Sequence, residues 1–378
     1  MKERLAIAAD IVFDGDSIHR DAAVLIEDEA IVALTRRDDV AAATIVDLPA
    51  GAWLAPGFID LQVNGGGDVL FNDEPTPDAI ATILRAHRRF GTTSLLPTLI
   101  TDTDEKMRAA AHAIADSMTR ERGVLGVHFE GPFLSPRKLG VHRGDLVRRP
   151  EPHHLAILAP PPGCVSLVTL APEEVPDGFI AALTRAGCKI ALGHSMASYE
   201  ETRTAMRDGL TGFTHLFNAM RPLGSREGGP IAAALESPDA CYGLIVDGEH
   251  VHSTMLRLAL RASVGHPMLV TDAMPPVGGH SDEFALQGRR ILARDGRCVT
   301  EDGVLAGAAL DMASAVRNCV ARLGLPLERA LTLASREPAH FLGLGDRLGR
   351  LAPGYRADMV AFAPHDVSII ATWVAGAS

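Results

Sequence analysis

The sequence predicts an α/β protein, a (β/α)8 TIM-like barrel with a small β-sandwich domain built from the two chain ends. Two observations lead to this prediction. Within residues 54–346, strand-like apolar segments alternate with helix-like segments, and eight such strands over about 250 residues are typical of a (β/α)8 barrel. Residues 1–53 and 347–378 lack this alternation and have strand-like patterns, so we expect these two pieces to pair into one separate β domain.

The N-terminal piece contains two β-prone runs, LAIAADIVFDGD and AAVLIEDEAIVAL, and Asp14-Gly15 between them indicates a hairpin-type turn. The C-terminal piece, LGRLAPGYRADMVAFAPHDVSIIATWVAG, has a similar strand-like pattern. The eight barrel strands are predicted at Ile59–Val63, Thr93–Thr98, Val124–Glu130, Val165–Leu170, Lys189–His194, Thr211–His215, Tyr242–Asp247 and Met268–Asp272.

Capping residues and glycines mark the ends of the predicted helices between the strands. Gly91 closes the segment AIATILRAHRRF, and Ser198 with Glu201 forms a capping box that opens SYEETRTAMRDG. The segments TMLRLALRASVG and LDMASAVRNCVARLG each end in glycine, and one further helical segment is predicted over Leu327–Leu342.

Composition excludes several classes of function. The net charge of −11 argues against a general nucleic-acid binder, although an anionic small molecule needs only a local cluster of arginines. No apolar run approaches the roughly 20 residues of a membrane span, and the N-terminus lacks the apolar core of a signal peptide. Five scattered cysteines without a CxxC pair indicate free thiols, so we expect a cytoplasmic protein with no nucleic-acid or membrane partner.

Four polar residues stand at the ends of predicted barrel strands. VLGVHFEGPFLS runs into Glu130, CKIALGHS into His194, GFTHLFNAM into His215 and PMLVTDAMPP into Asp272. A carboxylate at the tip of an apolar strand is costly to bury unless it is paired or binds a metal. Because catalysis in barrels lies at the C-terminal ends of the strands, we expect these four side chains to form one site.

One glutamate and two histidines form a ligand set typical of a catalytic zinc site with an open position for water. Asp272 is then free to take a proton from a metal-bound water and return it to a leaving amine. The predicted chemistry is therefore metal-dependent amide hydrolysis. Zinc is the first candidate, but ligand type alone leaves iron or another divalent ion open.

A single histidine near a strand end is more often hydrogen-bonded structure than a metal ligand. For His128, which precedes Glu130 on the same strand face, we expect a packing or supporting role. The remaining histidines outside the predicted site are interpreted as surface or structural residues. The sequence contains no GxxxxGK[ST] loop, no GxSxG elbow and no HExxH helix motif.

Together these segments resemble the amidohydrolase superfamily and, within it, the N-acetylglucosamine-6-phosphate deacetylases. The superfamily pattern is carried by APGFIDLQVNG and LAPGYRADMVAF. The narrower pattern is carried by HFEGPFLSPRKLGVH, ALGHSMAS, GFTHLFNAMRPL, REGG, YGLIVDGEHV, LVTDAM and VLAGAALDM. The resemblance implies hydrolysis of N-acetyl-D-glucosamine 6-phosphate to D-glucosamine 6-phosphate and acetate, in amino-sugar catabolism and recycling.

The first strand departs from the superfamily pattern. Many members have His-x-His there and hold two metals, whereas this chain has Gln62 and Asn64. Neutral amides are poor zinc ligands, so we expect one metal per chain, bound by Glu130, His194 and His215 as the resemblance implies.

The resemblance also assigns further roles. Asp272 matches the family's general acid/base. The implied substrate-binding residues are His142, Asn218, Ala219, Arg226, His250, Leu305, Ala306 and Gly307. Arg226 is the expected charge partner of the phosphate, and the family suggests a homodimer in which a neighbour contributes to the phosphate site.

Several alternatives remain at this point. Arg226 is also compatible with a solvated surface residue, and His252 competes with His250 for the same role. The rival functions are an amidohydrolase for another substrate, such as an N-acyl-amino-acid deacetylase or a cyclic-amide hydrolase, and a sugar-phosphate sensor without chemistry. An intact acid/base and three intact ligands argue against the sensor.

Overall fold

A computed structural model describes residues 4–40, 44–294 and 296–378. Its centre is a parallel eight-stranded sheet in which each strand pairs with the next along the chain, and a parallel bridge between Val63 and Ala273 joins the first strand to the end of the last. This arrangement confirms the predicted barrel. Its strands, numbered here first to eighth, are Phe58–Val63, Thr92–Ile100, Gly126–Glu130, Val165–Leu170, Lys189–Leu192, Gly212–Phe213, Cys241–Leu244 and His266–Leu269.

Four of these strands end earlier than predicted. The seventh strand ends at Leu244 instead of Asp247. The fifth strand ends at Leu192, the sixth at Phe213 and the eighth at Leu269, so His194, His215 and Asp272 lie just beyond them. The reason is the backbone: each of these three residues has a positive φ, which extended strands do not adopt.

The helices lie where the sequence predicts the main ones. The Ser198 hydroxyl accepts a hydrogen bond from the backbone N–H of Glu201, and the Glu201 carboxylate accepts one from the backbone N–H of Ser198. This pair of bonds confirms the predicted capping box. The predicted segment 327–342 forms two helices, because the backbone of Ser335 leaves the helical region between them. The α-helices are Pro77–Arg88, Asp104–Ser117, His154–Leu158, Phe179–Arg185, Tyr199–Arg207, Gly229–Glu236, Ser253–Ala262, Met312–Leu323, Leu327–Ala334 and Arg336–Leu342. Short 3-10 turns cover Arg37–Asp39 and Pro172–Glu174. Among the described residues, no helix has both the length and the apolar character needed to cross a membrane.

A seven-stranded sheet contains both ends of the described chain, which confirms the predicted extra β domain. Its strands are Arg4–Phe13, Ile18–Glu27, Ala30–Arg36, Thr44–Asp47, Trp53–Pro56, Met359–Ala363 and Ser368–Trp373. The turn at Asp14-Gly15 joins the first two strands, with Gly15 at φ 107°. Strand Trp53–Pro56 lies between Arg4–Phe13 and Met359–Ala363, so the N-terminal and C-terminal strands complete each other.

An antiparallel four-stranded insert follows the eighth barrel strand and is absent from the sequence-based prediction. Its strands are Glu283–Leu286, Arg289–Arg294, Arg297–Thr300 and Leu305–Ala308. A parallel bridge between Ala273 and Ala308 attaches the last of them to the barrel, so this strand lies beside the tip that carries Asp272. A two-stranded pair, Gly65–Gly66 with Val69–Leu70, follows the first barrel strand.

Candidate metal centre and active site

Three buried side chains converge at the C-terminal mouth of the barrel. Oε1 of Glu130 lies 3.0 Å from Nε2 of His215 and 3.3 Å from Nε2 of His194. The two Nε2 atoms are 3.1 Å apart. All three ligand atoms therefore point at one small volume, although they come from the third, fifth and sixth strands.

The local backbone directs these side chains. His194, His215 and Asp272 have φ values of 48°, 32° and 52°. Such left-handed conformations are unfavourable for residues other than glycine and cluster at functional sites. Each one turns the chain sharply just past the end of its strand.

The chemistry of the three donors fits a divalent metal ion. Nδ1 of His194 lies 2.7 Å from the backbone oxygen of Lys138, a contact that requires an N–H, so in the neutral ring Nε2 carries the lone pair. Nδ1 of His215 is buried and has no hydrogen-bond partner among the described residues. Burial would raise the pKa of Glu130, but its hydrogen bonds with the two histidines hold that pKa well below its usual range. A carboxylate and imidazole lone pairs converging on one point fit a catalytic zinc-type site.

Two side-chain amides, from Gln62 and Asn64 on the first strand, lie beside the two carboxylates. Nε2 of Gln62 lies 3.2 and 3.1 Å from the two carboxylate oxygens of Glu130, and 3.1 Å from Oδ1 of Asp272. Nδ2 of Asn64 lies 2.7 Å from the same Oδ1. These amides thus present N–H donors to the carboxylates, where a second metal would need lone pairs.

Asp272 is held beside the cluster with one oxygen saturated. Both amide donors bind its Oδ1, and Oδ2 has no hydrogen bond to any of the described residues. Burial and, next, the negative charge of Glu130 raise the pKa of Asp272 to about 6. A carboxyl group with a pKa near the working pH is suited to take and return a proton.

A cavity of about 190 Å³ opens above the cluster. Of the residues proposed from the sequence, it is lined by Glu130, His142, His194, His215, Asn218, Ala219, His250, Asp272, Leu305 and Gly307. The structure thus brings ten of the twelve together. Ala306 is fully buried and does not line the cavity, and Arg226 lies on an exposed loop outside the lining. No lysine or arginine lines this cavity among the described residues.

Two further histidines face this cavity, each held by a second residue. Nδ1 of His142 lies 2.8 Å from Oγ1 of Thr101, and burial together with neighbouring His194 lowers the pKa of His142 to about 3. Nδ1 of His250 lies 2.6 Å from Oδ2 of Asp247. His252 instead caps the helix Ser253–Ala262. The hydrogen bonds at Nδ1 therefore fix the orientation of the His142 and His250 rings.

The sequence reasoning missed the supporting residues. Thr101 and Asp247 hold the two cavity histidines, and Oε2 of Glu173 accepts from the hydroxyl of Ser195 at 2.7 Å, next to His194. Asp247 ends a predicted strand, so the rule that found Asp272 also applies to it. Glu173 lies in a 3-10 turn beyond the fourth strand and has no comparable signal.

His128 lies below the cluster. Its ring nitrogens contact Thr98 at 3.3 Å and Thr169 at 2.8 Å, and burial lowers its pKa to about 4. A neutral, hydrogen-bonded ring inside the barrel agrees with the supporting role predicted for it.

A second group of possible ligands, Asp104, His153 and His154, lies outside the cavity. Arg148 binds the same Asp104 carboxylate at 2.5 Å. Nδ1 of His154 accepts from the backbone of Glu151, so its Nε2 carries the hydrogen. A guanidinium and an N–H directed at Asp104 describe a hydrogen-bonded anchor and disfavour a cation there.

Comparison with known proteins gives consistent results. The amidohydrolase family model matches residues 53–378. An N-acetylgalactosamine-6-phosphate deacetylase from Shewanella sp. (strain ANA-3) is 44% identical over 326 residues, 85% of this chain and 82% of that protein. An N-acetylglucosamine-6-phosphate deacetylase from Haemophilus influenzae is 33% identical over 97% of each chain. The crystal structure of N-acetylglucosamine-6-phosphate deacetylase from Pasteurella multocida superimposes with a TM-score of 0.95 at 34% identity, covering 99% of this chain and 98% of that one.

Proposed function

This chain belongs to the amidohydrolase family, and on that premise we propose that it hydrolyses N-acetyl-D-glucosamine 6-phosphate to D-glucosamine 6-phosphate and acetate. The observation that carries the proposal is the convergence of Glu130, His194 and His215 within 3.3 Å beside Asp272. Similarity to deacetylases of amino-sugar phosphates extends over most of the chain. Free cysteines, none of them in a disulfide, support a cytoplasmic location.

The enzyme requires a divalent metal, as its family does, and we propose zinc, with iron or another divalent ion as the alternative. Glu130, His194 and His215 would hold it. Bound there, the ion supplies Lewis acidity that polarises the acetyl carbonyl and lowers the pKa of water to about 7. We propose one ion per chain, because Gln62 and Asn64 direct N–H groups at the neighbouring carboxylates.

Asp272 is the proposed general base and acid. Its free Oδ2 takes a proton from the attacking water and then delivers it to the amide nitrogen. The C–N bond breaks, the nitrogen keeps the bonding electron pair, and the products are the amine and acetic acid, which ionise in water. Because Gln62 and Asn64 hold the other oxygen, the direction of proton transfer is fixed.

His142 and His250 are proposed to bind the substrate through Nε2, since Nδ1 of each ring is bonded within the protein. The neutral state favoured for His142 by its lowered pKa suits a hydrogen bond to the acetyl oxygen. Asn218 and Ala219 are proposed to contact the sugar phosphate. Leu305, Ala306 and Gly307 lie in the strand Leu305–Ala308 and not in a loop, and Leu305 and Gly307, which line the cavity, are proposed to cover the sugar.

The phosphate needs a cation that this chain's own cavity lining does not provide among the described residues. We propose that Arg226, exposed on its loop, reaches the phosphate in the site of a second subunit, so that the active form is a homodimer. A guanidinium binds phosphate with two parallel hydrogen bonds, which suits this role.

Mixing two inactive variants tests this arrangement. Asp272→Asn lacks the base, and Arg226→Ala lacks the phosphate ligand. If Arg226 acts across the interface, a mixed dimer contains one complete site, formed by the Arg226→Ala chain with the arginine of its partner, and activity returns on mixing. If Arg226 acts within its own chain, no mixed dimer has a complete site and activity stays absent.

N-acetyl-D-galactosamine 6-phosphate is a second candidate substrate. It is favoured by the 44% identity with the Shewanella deacetylase of that sugar, against 33% with the Haemophilus deacetylase of its epimer. The two substrates differ only in configuration at C4, so the same metal site and base serve both.

The decisive experiment combines metal analysis with acetate release. Purified protein would be assayed for metal content and incubated with both phosphorylated amino sugars and with unphosphorylated N-acetylglucosamine. About one metal per chain and rapid acetate release from a phosphorylated sugar are expected, with kcat/KM for the two epimers deciding between them. Bound metal without acetate release from either phosphate would refute the deacetylase function.

A further inference from the structure

We propose that Oδ1 of Asn64 accepts a hydrogen bond from the N–H of the scissile amide. This inference rests on the proposed deacetylase function. Asn64 is 1% exposed and lines the cavity. Its Nδ2 donates to Asp272 at 2.7 Å, yet its Oδ1 is buried with no hydrogen-bond partner among the described residues. A buried acceptor without a partner is unfavourable, so this oxygen points to a donor that arrives with the substrate.

The orientation of the amide is determined by its neighbours. Oδ1 of Asp272 already accepts from Nε2 of Gln62 at 3.1 Å, so it acts as an acceptor in this network. Turning the Asn64 amide over would place its oxygen against that carboxylate oxygen, which is repulsive. The backbone is also fixed, because the N–H of Asn64 donates to Ala273 at 2.9 Å and its C=O accepts from Phe71 at 2.9 Å.

The acetamide group of the substrate offers one donor. Its carbonyl oxygen only accepts and its methyl group does neither, which leaves the N–H as the partner for an acceptor beside Asp272. Asp272 must deliver its proton to this same nitrogen. An acceptor on the adjacent amide would hold the N–H to one side and turn the developing lone pair of the nitrogen toward Oδ2 of Asp272.

This contact adds no atom to the reaction. The water oxygen bonds to the carbonyl carbon, and one water proton passes through Asp272 to the nitrogen. The C–N bond breaks with its electron pair on nitrogen. The hydrogen bond to Asn64 persists from the amide N–H to the N–H of the departing amine.

The test compares an amide with the corresponding ester. The 2-O-acetyl ester of the same sugar phosphate keeps every hydroxyl group, the acetyl carbonyl and the phosphate, but has no N–H. Asn64→Leu also removes the Nδ2 donor to Asp272, so it is expected to lower kcat/KM for both substrates. The loss should be greater for the amide, so that the amide-to-ester ratio of kcat/KM falls by about 10-fold. Asn318→Leu is the matched control, since Asn318 donates to the backbone oxygen of Val246 and does not line the cavity, and it should leave the amide-to-ester ratio unchanged.

A second variant covers the case in which Asn64→Leu does not fold. Asn64→Asp keeps an acceptor at Oδ1, so its amide-to-ester ratio should stay within about threefold of wild type even though the added charge lowers both rates. An equal loss on both substrates in Asn64→Leu would overturn the proposal, because it indicates a structural role or a contact with a sugar hydroxyl. Two metal ions in the wild type, falling to one in Asn64→Leu, would also overturn it. Wild-type protein inactive on both amides would instead refute the deacetylase function itself.

Discussion

Replacing Asp272 by asparagine tests two properties of this residue separately: its role in catalysis and its effect on the free energy of unfolding. The substitution keeps the shape of the side chain, and its oxygen can still accept from Gln62 and Asn64. Its amide nitrogen cannot take a proton from water. General acid–base catalysis contributes about 10²–10⁴ to a rate, so we expect kcat to fall by that factor while Glu130, His194 and His215 still bind metal.

The same substitution should change how the stability of the metal-free protein depends on pH. The pKa of Asp272 is raised from 3.8 to about 6, first by burial and then by the charge of Glu130, which corresponds to about 3 kcal/mol. Because the folded state binds this proton more tightly than the unfolded state, the contribution is full below pH 3.8 and is lost as pH rises through about 6. An asparagine side chain does not titrate. The free energy of unfolding of Asp272→Asn, relative to wild type, should therefore rise by about 3 kcal/mol between about pH 4 and pH 7.

The assay is urea unfolding of chelator-treated protein across this pH range, with kcat measured on metal-loaded protein. Asp60→Asn is the matched control, since burial raises the pKa of Asp60 to about 7 against the opposing hydrogen bond from Thr271, and Asp60 does not line the cavity. It should change the pH dependence in the same direction and keep kcat within about tenfold. An Asp272→Asn enzyme with kcat within about tenfold of wild type would refute the assigned role.

Three further outcomes are expected. The acid limb of kcat/KM should have its midpoint at or below about pH 6, since protonated Asp272 cannot act as base and a bound cation lowers its pKa further; a midpoint above about pH 7 would contradict this. Glu173→Gln should weaken metal binding by about tenfold, measured by competition with a chromophoric chelator, because it disturbs the turn that follows His194; unchanged affinity would show that the turn holds without the carboxylate. Asp104→Asn should raise KM several-fold at unchanged metal content, because Asp104 anchors Arg148 at the end of the loop that carries His142, and steady-state kinetics showing no change in KM would argue against that anchoring.

The barrel could be predicted because its signals are local. Each strand is an apolar run ended by a polar residue or a turn, and the sequence predicts all eight within a few residues. The insert over 283–308 was missed because its strands are half-exposed and lie between glycine-rich turns, so their pattern resembles loop. The domain boundaries at residues 53 and 347 remain a prediction.

The metal-site residues could be proposed for a similar reason, since each ends or follows a strand in the sequence. Contacts between segments that are distant in the sequence could not be predicted from local patterns. The bonds from Gln62 and Asn64 to Asp272 span more than 200 residues, and only the closed barrel brings them together. Exposure of Arg226 likewise depends on where its loop lies, which no local pattern encodes.

The seven-stranded sheet, which combines strands from both ends of the described chain, limits the order in which the chain can fold during synthesis. Strand Trp53–Pro56 pairs on one side with Arg4–Phe13, which is made before it, and on the other with Met359–Ala363, which is made about 300 residues later. At about 5–20 residues per second, the edge of this strand waits roughly 15–60 s for its partner. An unpaired strand edge can bind other chains, so we expect this edge of the nascent chain to stay open to such pairing until Met359–Ala363 has been made.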